Sequence, residues 1–255
     1  MPDMWGQRAW LVAAAAGAAI VNVGNAASAA DADASRWLDV ESRIQYAYYT
    51  EDRRTLESIA ASLATDATPG GERAYYLALA SYRLADLADP RQPQQGKQSA
   101  ERCADSLEKS SDSSTPAPAE RFALQATCLR LLASFEPLRG PYLSLRSGGA
   151  LKHALELAPR DPRVLLLQAL ADHDRRADPA RVARELQQAT AAFELEREGI
   201  ERVPGWGAAE AYAFLGRELL EQGQTLAARA ALEHALLLVP DFTLAHRLMA
   251  RITAG

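Results

Sequence analysis

The sequence predicts an all-α fold: an α-solenoid of about four to five antiparallel helix pairs, partly degenerate, closed by a C-terminal capping helix. Three observations predict it. Apolar residues recur at spacings of three and four almost throughout, and strand-type alternation is missing. Breakers fall between the periodic segments and leave connections of two to five residues between most of them, which makes neighbouring helices antiparallel. One ten-residue stretch occurs twice. Ala150-Leu151-Lys152-His153-Ala154-Leu155-Glu156-Leu157-Ala158-Pro159 returns as Ala231-Leu232-Glu233-His234-Ala235-Leu236-Leu237-Leu238-Val239-Pro240, identical at seven of ten positions and offset by 81.

In chain order, the pattern predicts helices at about 35–50, 53–66, 71–88, 96–110, 118–136, 148–158, 162–175, 179–197, 208–222, 225–238 and 242–253. Asp178-Pro179 sets a cap ahead of a first-turn proline, Pro118 opens its helix the same way, and Gly223 stands where a helix stops. The glycine pairs Gly70-Gly71 and Gly148-Gly149 read as turns before helices, so the stretch around Pro137 to Tyr142 reads as an insertion.

The chain opens with a short segment carrying Arg8, an unbroken apolar run from Ala9 to Val21, and small residues around Ala27-Ser28-Ala29. That is the layout of a secretory signal, with cleavage expected after Ala29 and a mature domain over 30–255. Thirteen apolar residues fall short of the roughly 20 that span a bilayer, so no stable membrane span is expected after cleavage. The destination implied is periplasmic or secreted. An oxidising compartment leaves two readings for the only cysteines, Cys103 and Cys128: a disulfide between paired helices, or two separate buried small residues.

The second copy of the repeated stretch closes a 34-residue unit from Ala209 to Phe242. Small residues at positions 8, 20 and 27 (Gly216, Ala228, Ala235) let two helices approach. Tyr212, Leu215, Leu219 and Leu232 at positions 4, 7, 11 and 24 fill the space between them, and Pro240 at 32 ends the second helix. This resembles the tetratricopeptide repeat family, with Leu219 and Leu232 in place of the usual aromatics. Phe122, Ala126 and Leu129, followed by Leu151, Ala154 and Pro159, fit the same positions with about nine extra residues between. The resemblance is strong over 209–242, moderate over 118–197 and weaker before that. It implies a right-handed superhelix whose concave face, built from positions 2, 5, 9 and 12, takes a protein or peptide partner. Those positions are Glu120, Ala123, Thr127 and Arg130 in one unit and Glu210, Ala213, Arg217 and Leu220 in the last. Beyond residue 29 there is no Asn, so a carboxylate clamp built on paired asparagines is not supported.

Chemistry-bearing patterns are sparse. Phosphate-binding, dinucleotide and nucleophile-elbow glycine motifs are lacking. His153 and His234 share position 26 of two units, His173 sits in a charged helix end, His246 reads as surface, and no His-x-x-x-His or Cys-x-x-Cys spacing suggests a metal. Glu194, Glu196, Glu198 and Glu201 with Arg197 and Arg202 read as a solvated helix face. A net charge of −5 with only three lysines argues against nucleic acid. Trp206, Tyr142 and Arg146 have two readings each, surface anchor or local packing. The function expected is an exported, non-catalytic scaffold for protein interaction, without cofactor or metal. The alternative is a component of an envelope transport or assembly system that binds a small solute or a partner subunit.

Overall fold

The computed structural model describes residues 23–67, 70–109, 118–198 and 206–254. The export signal expected over 1–29 lies outside these residues up to position 22, as do the segments 110–117 and 199–205. The chain divides into two compact units, Met1–Arg36 and Trp37–Gly255. The first holds, among described residues, only the opening part of a helix. The second carries the rest of the fold and everything that follows.

Eleven helices and no strand occur among the described residues: α1 (Val23–Tyr49), α2 (Arg53–Thr65), α3 (Gly71–Asp86), α4 (Pro93–Lys109), α5 (Pro118–Phe135), α6 (Gly140–Leu157), α7 (Pro162–Asp174), α8 (Pro179–Glu198), α9 (Ala208–Glu221), α10 (Thr225–Leu238) and α11 (Thr243–Ala254). From α2 to α11 each helix packs on the next, and α3 with α5, α5 with α7, and α9 with α11 add contacts between alternate helices. That is the neighbour pattern of stacked helical hairpins.

Local chemistry sets the ends. The Asp161 carboxylate accepts from the backbone N–H of Arg163 at 2.9 Å and of Val164 at 3.0 Å, capping α7 ahead of Pro162. Asp52 caps α2 through Thr55 N–H at 3.1 Å. Gly223, at φ 74, turns the chain after α9, and Gln224 N–H closes back on the Leu219 carbonyl at 2.8 Å. No side chain but hydrogen takes that conformation freely.

The seam between α9 and α10 is drawn tight by Gly216. A Cβ there would meet Leu232 Cγ at 2.6 Å and Cδ2 at 2.7 Å. Ala228, Leu232 and Ala235 are fully buried on the α10 side. Ala126, Leu151 and Ala154 do the same work between α5 and α6. Pro159 and Pro240 are exposed and act only by ending the helices before them. Cys103 in α4 and Cys128 in α5 form a disulfide, with Cα atoms 5.5 Å apart.

Two helix starts differ from the sequence reading: α1 begins at Val23 and not near 35, and α6 begins at Gly140 and not near 148. Of the stretch from Pro137 to Tyr142, Gly140 to Tyr142 are the first turn of α6 and Pro137 to Arg139 lead into it. Gly148 and Gly149 are therefore mid-helix residues, not a turn. Burial of Leu143 and Ser147 on the face toward α5, with Ser147 Oγ donating to the Ala126 carbonyl at 2.7 Å, overrides the poor helix propensity of a Gly-Pro-Tyr start and a glycine pair.

The first pair also reaches the last. Tyr49 packs edge-on against Phe242 with ring centroids 4.7 Å apart, and Arg247 of α11 bonds Glu51 at 2.8 Å. No helix among the described residues is long and apolar enough to cross a membrane.

Candidate functional site

The eight positions expected on the concave face divide evenly. Glu210, Ala213, Ala123 and Thr127 are buried, and Thr127 Oγ1 is spent on the Ala123 carbonyl at 3.1 Å. Glu120, Arg130, Arg217 and Leu220 are half-buried. Around Glu210 the reason is that α1 and α3 meet the start of α9. Tyr48 and Tyr49 of α1, Arg83 of α3 and Trp206 ahead of α9 occupy the space in front of Glu210. An arrangement in which all eight side chains face an open groove is thereby corrected.

The interior they form is polar and fully paired around one acid. Glu210 accepts from Arg83, from Tyr49 Oη at 2.7 Å and from the Gly207 N–H at 2.9 Å, which also back-caps α9. The Arg83 guanidinium lies 4.0 Å from the Tyr48 ring centroid, with the Tyr82 and Trp206 rings also within reach. A buried pair of this kind is costly to break, because the surviving partner is left charged and dry.

A second strand of the network runs the other way. Trp206 Nε1 donates to Tyr75 Oη at 2.9 Å, Tyr75 Oη donates to Glu120 at 3.1 Å, and Arg163 lies 3.5 Å from Glu120 and 2.7 Å from Glu196. Glu41 accepts from Trp206 N–H at 3.3 Å and from Gln45 Nε2 at 3.2 Å. Burial pushes both Glu41 and Glu120 up to about 7, against the pull of Arg163. Burial and the Glu210 charge hold the Tyr49 phenol well above its usual range.

The open polar feature lies instead where α5 and α7 end. A cleft of about 550 Å³ is lined by Arg130, Ser134, Ser144, Ser147, Asp174 and Arg175, together with Leu131 and Ala133. Arg130 pairs with Asp174, while its Nε is buried and has no hydrogen-bond partner. Arg175 is half-tied to Asp172 at 3.1 Å. Beside this end, Arg217 and His173 both pair with the buried Glu218, at 3.3 and 2.9 Å.

The structure decides between the readings left open for several side chains and moves others. Trp206 is an interior residue at 1% exposure, and Tyr142 is a surface residue. Arg146 lies at the surface with Glu108 as partner. Glu196, read as part of a solvated face, pairs with the buried Arg163. His153 and His234 each pack on the position-4 aromatic of their own unit: Phe122 edge-on at 4.5 Å, Tyr212 stacked at 4.1 Å. His173 meets Glu218 across a helix interface. The one signal that could have found the histidine contact is the recurrence of an aromatic at position 4 with a histidine at 26.

Among the described residues, no group of three or more His, Cys, Asp or Glu side chains could hold a metal. Comparisons with protein-family models, with curated proteins and with solved structures return no match.

Proposed function

We propose that this chain is an exported scaffold of the tetratricopeptide-repeat type, wound as a right-handed superhelix, that holds a protein or peptide partner and carries out no chemistry. The partner docks at the rim where α5 and α7 end, not along an inner groove. One observation supports this most: Arg130, one of the residues expected to face a partner, lines an open cleft with an unmatched buried Nε beside Arg175, Asp174 and three serines. Mixed charge and small hydroxyls suit a polar peptide segment that can answer both guanidinium and carboxylate.

Crosslinking in intact cells tests it. Arg130→Glu should remove the partner band, and Arg217→Glu should weaken it. An undiminished band with both substitutions in place contradicts the docking assignment. A second reading rests on the cleft's size, which lies in the range of small-ligand sites. There the protein would bind a small zwitterionic or acidic solute within an envelope transport system. Native mass spectrometry of the purified protein separates the two: a discrete added mass lost in Arg130→Glu favours the solute.

A further inference from the structure

Helix α6 carries a solvent-facing stripe whose contacts among the described residues stay within the helix: Arg146 lies 5.8 Å from the Tyr142 ring centroid, and Lys152 pairs with Glu156 at 3.8 Å. Tyr142, Leu145, Gly149, Lys152 and Glu156 follow one another at helical spacings of three and four and, with Pro141, lie on the side opposite the buried Leu143, Ser147 and Ala154. Leu145 is 76% exposed, Tyr142 58%, and Leu138 just before the helix 100%. The stripe also contains an internal expense. Gly148 and Gly149 stand mid-helix, where each costs roughly 1 kcal/mol against alanine. A Cβ at either would meet nothing within 4 Å. Packing inside the chain therefore does not explain them.

The geometry points to a second copy of this chain as the occupant, with two α6 helices crossing antiparallel about a two-fold axis near residue 147. The stripe is self-complementary. The stripe has a bulky apolar half, Tyr142 and Leu145, and a small then charged half, Gly149, Lys152 and Glu156. A two-fold axis lays each half on the other, as an isologous contact requires. Leu145 of one copy enters the notch left by Gly149 of the other, a knob into a hole. Lys152, 79% exposed, comes over the Tyr142 ring of the second copy. Glu156 falls beside Leu138 and within reach of Arg139, whose side chain is 61% exposed. Like charges are not brought face to face, since Arg146 lies opposite Gly148 and keeps Glu108 as its own partner. This inference stands apart from the docking of a partner at the Arg130 cleft.

Sedimentation velocity of the purified protein over a wide concentration range tests it. The wild type should show a monomer–dimer equilibrium. Leu145→Asp should shift it to monomer with unchanged helical circular dichroism. Gly149→Ala gives the sharpest reading: the urea midpoint should rise while the dimer weakens about tenfold, because the added methyl fills the notch. Glu156→Arg and Arg139→Glu should each weaken the dimer, and the two together should restore it, which reads the antiparallel register. A wild type that stays monomeric at all concentrations overturns the inference. So does a dimer indifferent to both Leu145→Asp and Gly149→Ala, or a stripe that takes up only an unrelated protein.

Discussion

The pair α9–α10 and the pair α5–α6 are built on the same seam and end in opposite relations to solvent. In α9–α10, both helices are 14 residues long, Gly216 lets Leu232 in, and the first helix buries its acid, Glu210, against Arg83. In α5–α6, both helices are 18 residues long, Ala126 and Leu151 hold the seam, and α6 leaves Tyr142 and Leu145 exposed on the face opposite Leu143 and Ser147. The same repeat thus serves closure at one place and display at another. Glycine marks the contrast: Gly216 is required because a methyl has no room, whereas Gly149 has open space around it.

The largest effects should come from the closed pair. Leu232→Ala should lower the free energy of unfolding by about 2–5 kcal/mol in urea titrations, while Leu145→Ala should change it by no more than about 0.5. A comparable loss at both positions would erase the distinction between seam and stripe. Opening the Cys103–Cys128 bridge, which closes 25 residues, should cost about 3 kcal/mol, seen as a fall in melting temperature under reducing conditions. Gly216→Ala should cost about 1–3 kcal/mol by overpacking Leu232, against a gain of up to about 1 for Gly149→Ala.

The interior predicts an unusual pH dependence. Glu41 and Glu120 titrate near 7 in the fold, because burial outweighs Arg163, and near the ordinary glutamate value once unfolded. Between about pH 4.5 and 7 the folded chain therefore holds protons that the unfolded chain has released. Their contribution to stability is complete below that window, falls as pH rises through 7, and is flat above it. The loss is on the order of a few kcal/mol, checked by urea titrations at pH 5 and 8. Glu41→Gln should shrink the difference and leave the protein more stable at pH 8; a steeper slope in that variant would refute the assignment.

What could be read from sequence was what short range fixes. Gly223, the Asp178-Pro179 start and the pairing of Gly216 with Leu232 follow from turn geometry, first-turn chemistry and repeat spacing, and each holds in the fold. The start of α6 could not be read, because Gly140-Pro141 and the glycine pair oppose a helix that only burial of Leu143 and Ser147 rescues. The Arg83–Glu210 pair was hidden for a different reason: its partners stand 127 residues apart and belong to the second and last pairs. Position-by-position reasoning from the repeat placed Glu210 on an open face because a regular solenoid keeps those pairs apart. Here Tyr49, Tyr48 and Trp206 close over it.

Site-specific photocrosslinking from the exposed Ser144 at the rim and from Leu220, one of the positions expected to line an inner groove, compares the two docking surfaces in one experiment. Docking at the rim predicts that Ser144 captures a single partner in intact cells, that the product disappears with Arg130→Glu, and that Leu220 captures nothing. A product from Leu220 without one from Ser144 would contradict it.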